Sequence, residues 1–138
     1  MVEKQIRVLI ADDHHLVRKH VQALLNKEKD IVVVATASDG AETVRLAEEL
    51  VPDIVIMDIT MPKLDGIQSV QQIQTLDLPT RVIMLSMHTH KQVVAQALRS
   101  GASGYVPKKS VVQDLVTAVR AVNQGSTFIS PALETLSP

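Results

Sequence analysis

Five short apolar runs alternate with five stretches of helical periodicity, and that alternation leaves few folds open to the chain. The runs are residues 6–11, 31–35, 53–57, 82–85 and 104–106. They are rich in Val and Ile and barely alternate with polar residues, as strands do when both faces are covered. Between them, apolar residues recur about every 3.6 positions. The stripes are Val17, Val21, Leu24 and Leu25; Ala41, Val44, Ala47 and Val51; Ile67, Val70 and Ile73; Val93, Val94, Ala97 and Leu98; and Val112, Leu115, Val116, Val119 and Val122. Pro52 and Pro79 precede strands, and Gly101 and Gly125 follow helices. The pattern predicts an α/β domain, a doubly wound parallel five-stranded sheet in the order 2-1-3-4-5 with helices on both faces.

Residues 1–125 account for that domain. Residues 126–138 contain Ser130-Pro131 and end in Ser137-Pro138, and they read as a tail or linker, not a sixth unit. Strand 5 is then an edge strand, where Pro107 is tolerable.

Composition removes several classes of function. The absence of cysteine excludes a disulfide scaffold, an iron–sulfur cluster and a thiolate zinc site. Fourteen basic and fifteen acidic side chains give a net charge of −1, poorly suited to direct binding of nucleic acid. Tyr105 and Phe128 are the aromatic residues, too few for base stacking. No apolar run approaches the roughly 20 residues needed to span a bilayer, and the first residues lack the order of a signal peptide. A cytoplasmic protein is expected.

In a sheet of this order the functional crevice lies beyond the carboxyl ends of the strands. Strand 1 ends in Asp12-Asp13, strand 3 in Asp58, strand 4 in Ser86 and strand 5 in Lys108-Lys109. These four strands are neighbours, so three carboxylates, a hydroxyl and an amine converge. Two like charges about 4 Å apart cost on the order of 4 kcal/mol near a protein surface, and a divalent cation relieves that repulsion. Oxygen ligands with room for water suit Mg²⁺. A carboxylate can itself attack phosphorus. Lys108 and the cation would balance charge on a phosphoryl group in transfer, and Ser86 could hydrogen-bond one of its oxygens. Each aspartate taken alone reads as a loop residue or helix cap; the matched set does not.

Four stretches carry a resemblance: Leu9-Ile10-Ala11-Asp12-Asp13-His14, Asp58-Ile59-Thr60-Met61-Pro62-Lys63-Leu64-Asp65-Gly66, Val82-Ile83-Met84-Leu85-Ser86, and Gly101-Ala102-Ser103-Gly104-Tyr105-Val106-Pro107-Lys108. From about Ile6 to Gly125 the chain resembles the receiver domains of two-component response regulators, which have a flavodoxin-like (βα)5 fold. Leu85-Ser86-Met87-His88 with Gly104-Tyr105-Val106 looks most like the NarL/LuxR type, whose members usually carry a C-terminal helix-turn-helix domain. The resemblance implies that Asp58 accepts a phosphoryl group from a sensor histidine kinase. It implies Mg²⁺ bound by Asp13 and Asp58, by Asp12 directly or through water, and by the backbone carbonyl of Thr60. Lys108 would pair with the phosphoryl oxygens. Ser86 and Tyr105 would be the switch residues, while Thr60 and His88 would tune phosphoryl lifetime. A homodimer on phosphorylation is open, and DNA would be bound only through a domain beyond residue 138.

Spacing from Tyr105 selects Lys108 over Lys109. One departure stands out. Many receivers have proline directly after this lysine, joined by a cis bond, whereas here Pro107 precedes it. A cis bond between Lys108 and Lys109 would cost about 3 kcal/mol. Met61-Pro62 restricts its loop, and Asp65-Gly66 makes a turn before helix 3. His14, His15, His88 and His90 fall in strand-end loops. Imidazole suits transition-metal ions, but their spacing does not define a common face.

Three rivals remain. A flavin or nucleotide carrier would need a Ser/Thr/Gly-rich phosphate loop after strand 1, where this chain has Asp12-Asp13-His14-His15. An aspartyl-phosphate phosphatase would place a second acid two residues past the nucleophile, where Thr60 stands. A receiver-like binding module that is never phosphorylated would not need the complete acidic set and Lys108.

Overall fold

The apolar runs become parallel strands because each is followed by a helix that returns the chain to the same end of the sheet. The computed structural model describes residues 4–61 and 65–134. Among these residues the strands are β1 (Ile6–Ala11), β2 (Ile31–Ala37), β3 (Ile54–Asp58), β4 (Arg81–Ser86), β5 (Gly104–Pro107) and β6 (Phe128–Ile129). They form one sheet in the order β2-β1-β3-β4-β5-β6, with every pairing parallel. The helices are α1 (His15–Asn26), α2 (Gly40–Leu50), α3 (Gly66–Thr75), α4 (Lys91–Arg99), α5 (Val111–Asn123) and the single turn α6 (Pro131–Glu134). Among the described residues no helix is long and apolar enough to cross a membrane.

Alternate residues of each central strand enter two cores. Val8, Ile10, Ile54, Ile56, Ile83, Leu85 and Val106 pack with Val21 and Leu25 of α1 and with Leu115, Val119 and Val122 of α5. On the other face, Leu9, Val55, Met57, Val82, Met84 and Tyr105 meet Ala47 of α2, Val70 and Ile73 of α3, and Val94 and Ala97 of α4. Burial on both faces is the reason the runs lack alternation.

The chain after Gly125 corrects the expected five strands and the edge position of strand 5. Gly125, at φ +100°, redirects the chain after α5. The Phe128 amide then donates to the Ser103 carbonyl at 3.0 Å and the Ser130 amide to the Tyr105 carbonyl at 3.1 Å. Leu133 of α6 is buried against the α2–α4 side. A two-residue strand has no periodicity for a sequence to display. Because β6 ends opposite Tyr105, Pro107 still faces no partner strand on that side.

Smaller differences concern ends. β3 and β4 end in Asp58 and Ser86 as expected, whereas β1 stops at Ala11, β5 stops at Pro107 and β2 runs on to Ala37. Asp65 is the N-cap of α3 and forms a reciprocal capping box with Gln68. Pro62 lies outside the described residues. The bond between Lys108 and Lys109 is trans, as is every peptide bond among the described residues.

Candidate phosphoryl-acceptor and cation site

Register places the polar residues. Ala11, Met57, Met84 and Tyr105 lie in one row across β1, β3, β4 and β5. The next residues toward the carboxyl ends are Asp12, Asp58, Leu85 and Val106, followed by Asp13, Ser86 and Pro107. The crevice therefore opens where the sheet stops, with Asp58 at the end of β3 and Asp12 one residue past the end of the neighbouring β1.

Asp12 and Asp58 are buried, at 1% and 3% exposure, while Asp13 is exposed. Lys108 lies in a short 3-10 turn (Lys108–Ser110) after β5 and reaches inward. Its Nζ donates to Asp58 Oδ2 at 3.0 Å and stands 3.2 Å from Asp12 Oδ2. Lys109 is exposed, so of the two lysines it is Lys108 that meets the buried carboxylates. Asp58 Oδ1 accepts the Thr60 amide at 3.2 Å. Asp12 Oδ1 accepts the His14 amide at 2.8 Å, and Arg18 holds the Asp12 carbonyl at 2.8 Å.

On the β4 side, Ser86 is buried and its Oγ accepts the His88 amide at 2.9 Å. Ser86 does not cap α4, whose N-cap is His90. The Tyr105 ring is fully buried and its hydroxyl donates to the His88 carbonyl at 2.8 Å. The Tyr105 ring thus points inward, tied to the loop that follows Ser86. Thr60 and His88 are exposed at the rim.

A family model described as the response regulator receiver domain matches residues 8–120. The chain belongs to the response-regulator receiver family. This receiver is 37% identical over 129 residues to the transcriptional regulatory protein DegU of Brevibacillus brevis, an alignment covering 94% of this chain and 55% of DegU. It is 34% identical over 126 residues to the nitrate/nitrite response regulator NarL of Escherichia coli, covering 91% and 58%. Among solved structures, a LuxR-family two-component response regulator from Aurantimonas sp. SI85-9A1 superposes with a TM-score of 0.91 at 36% identity, covering 96% of this chain and 94% of that one. The signal receiver domain of NarL from Mycobacterium tuberculosis superposes with a TM-score of 0.86 at 36% identity, covering 89% and 99%. The relatives are of the NarL/LuxR type, and the chain spans little more than half the length of the curated ones.

The electrostatics of this receiver follow from burial. Loss of water pushes the Asp58 carboxyl above the usual carboxylate range; the Lys108 hydrogen bond opposes the rise and the Asp12 charge adds to it. Burial acts to lower the Lys108 ammonium, but the bond and charge of Asp58, with Asp12, outweigh it and leave the group raised. Burial also raises the Tyr105 hydroxyl.

The receiver's donor set suits a divalent cation. Carboxylate oxygens of Asp12, Asp13 and Asp58 and a ring nitrogen of His14 all lie within 4.8 Å of one another. Asp12 Oδ2 is buried and makes no directed hydrogen bond, only the ion pair with Lys108. A buried carboxylate oxygen left in that state is one a cation would complete. Of His14, His15, His88 and His90, only His14 joins the carboxylates among the described residues; His15, expected in the loop, is the first residue of α1. Sequence reasoning gave His14 no separate weight; its place directly after Asp12-Asp13 was the available signal. Sequence reasoning also missed the close approach of Gly66, where a Cβ would lie 2.6 Å from the Asp58 carbonyl oxygen and 2.6 Å from Ile59 Cα.

Proposed function

We propose that this receiver accepts a phosphoryl group on Asp58 from a phosphohistidine of a sensor histidine kinase. The observation that carries the reading is the buried Asp58 carboxylate, 3.0 Å from Lys108 Nζ and on the strand next to Asp12. An Asp58 carboxylate oxygen would attack phosphorus as the bond from phosphorus to the donor imidazole nitrogen breaks. The imidazole leaves with the bonding electrons, and an acyl phosphate remains on Asp58. Lys108 would then move its donor hydrogen bond from the carboxylate to a phosphoryl oxygen. Ser86 would turn its hydroxyl from the His88 amide toward another. Tyr105, whose hydroxyl holds the same loop through the His88 carbonyl, would sense that turn, a population shift of the kind phosphorylation drives.

Asp12, Asp13 and Asp58, with the Thr60 carbonyl, would hold Mg²⁺, which when bound neutralises charge on the transferring group. Thr60 and His88, exposed at the rim, would tune access of water to the acyl phosphate. Leu16, Met87 and Val112 are exposed on segments that leave the carboxyl ends of β1, β4 and β5, which supports docking of a partner helix around the pocket. The receiver would act in the cytoplasm as a switch and not as a turnover enzyme. Residues 126–138 would lead to a C-terminal DNA-binding domain, and phosphorylation could pair two copies.

Intact mass after incubation with acetyl phosphate, with and without Mg²⁺, tests the acceptor role. A gain of one phosphoryl group that requires Mg²⁺ and disappears in Asp58→Asn is expected. A gain that persists in Asp58→Asn would overturn the assignment. No gain from either acetyl phosphate or a phosphorylated kinase would leave a binding module in its place.

A further inference from the structure

His14 sits over the acidic pocket in a way that an all-oxygen Mg²⁺ site does not need. Its Nδ1 is hydrogen-bonded to Asp12 Oδ1 at 2.9 Å, and lies 3.2 Å from Asp13 Oδ1 and 3.7 Å from Asp58 Oδ2. Donor atoms around an octahedral ion at about 2.1 Å are roughly 3.0 Å apart when adjacent and 4.2 Å when opposite. All three separations fall near or within that span.

The ring's place is built into the backbone. His14 is the N-cap of α1, with φ −89° and ψ 105°. Its amide is tied to Asp12 Oδ1 at 2.8 Å, and its carbonyl accepts the Arg18 amide at 3.0 Å. His15 does not share the position, because its Nδ1 pairs with the Arg18 guanidinium at 3.3 Å. Independently of His14, Asp12 Oδ2 is buried with no hydrogen bond and faces the Lys108 ammonium at 3.2 Å as its one ion-pair partner among the described residues.

We propose that His14 Nδ1 is a direct metal ligand in this pocket, and that it turns the site's preference from Mg²⁺ toward first-row transition divalent cations such as Mn²⁺ and Zn²⁺. The proposal rests on the reading of the aspartates as cation ligands. Imidazole binds Zn²⁺ and its neighbours well and Mg²⁺ poorly, whereas carboxylates serve both. On metal binding Nδ1 gives up its hydrogen bond to Asp12 Oδ1 and coordinates through its lone pair, and the ring proton then sits on Nε2; the side chain is 60% exposed, so water can accept from it. Mg²⁺ can be held by the oxygens alone, with His14 turned to solvent.

Pulsed EPR of the Mn²⁺-loaded protein reads nitrogen ligation directly, alongside calorimetric titrations with Mn²⁺, Zn²⁺ and Mg²⁺. A nitrogen coupling is expected in the wild type and in His15→Ala, and none in His14→Ala. His14→Ala should weaken Mn²⁺ and Zn²⁺ by about tenfold or more and change Mg²⁺ far less. The exposed His14 ring contributes little to the core, so that variant keeps the fold. Mn²⁺ bound without nitrogen coupling would overturn the proposal and leave the aspartate reading standing, as would a coupling that survives in His14→Ala. Failure of every cation to bind would overturn both.

Discussion

Lys108 Nζ stands 3.0 Å from Asp58 Oδ2, bridging 50 residues of sequence and holding the end of β5 to the end of β3. With its partner carboxylates almost wholly buried, the amine is a structural counter-charge as well as a candidate phosphoryl ligand.

The stability of the metal-free protein should depend on pH through this pair. The Asp58 pKa is raised in the folded state, so its protonated form favours folding. That stability is present below the usual carboxylate range and is lost as pH rises through the folded value. Lys108 is also raised, so its contribution is full below the ordinary lysine range and is lost only as pH rises above it. Urea unfolding in chelator is expected to show Asp58→Asn more stable than wild type at neutral pH, with the gap closing toward about pH 4. A gap that widens on acidification would contradict this.

Removing the cation should be costly. Lys108→Ala leaves two buried carboxylates facing each other, and one-sided loss of a buried pair typically costs about 3–5 kcal/mol. The measured loss should shrink in the double variant with Asp58→Asn, since the uncompensated charge is then gone. Equal losses in the two backgrounds would argue against direct coupling.

Gly66→Ala should destabilise by roughly 1–3 kcal/mol. The new methyl group would meet the Asp58 carbonyl oxygen and Ile59 Cα, which are backbone atoms, and Met84 Cε at 2.7 Å. Backbone cannot swing aside, so α3 must lift from the end of β3. Thermal unfolding measures the cost, and a slower gain of mass with acetyl phosphate is expected alongside it.

Tyr105→Phe keeps the ring and loses the bond to the His88 carbonyl; a cost of about 1 kcal/mol is expected. Tyr105→Ala empties a fully buried position and should cost about 3–5 kcal/mol. The Ser130 amide, bonded to the Tyr105 carbonyl, should exchange slowly in hydrogen-exchange NMR and faster in Tyr105→Ala. Fast exchange at Ser130 in the wild type would mean that β6 is not stably paired.

Val51 ends α2 in the left-handed region, at φ 42° and ψ 63°, a conformation that crowds a β-branched side chain. Val51→Asn should gain about 1 kcal/mol in urea unfolding, because Asn tolerates that region. No gain would show that the packing of Val51 outweighs its strain.

Local pattern made the sheet legible. Strands covered on both faces must be continuously apolar, and helices beside them must carry a 3.6-residue stripe, so strand count up to β5, their order and the strand-end position of Asp12, Asp13, Asp58, Ser86 and Lys108 could be read from residues alone. Three features depend on groups distant in the chain meeting in space. The pairing of β6 rests on backbone bonds, those to Ser103 and Tyr105 among them, which no side-chain pattern encodes. The inward Tyr105 ring rests on a bond to a loop carbonyl 17 residues away. The approach of His14 Nδ1 to three carboxylates rests on the backbone angles at the start of α1. Periodicity records which face of an element is buried; hydrogen bonds between backbone atoms and the aim of a ring are decided by tertiary contacts.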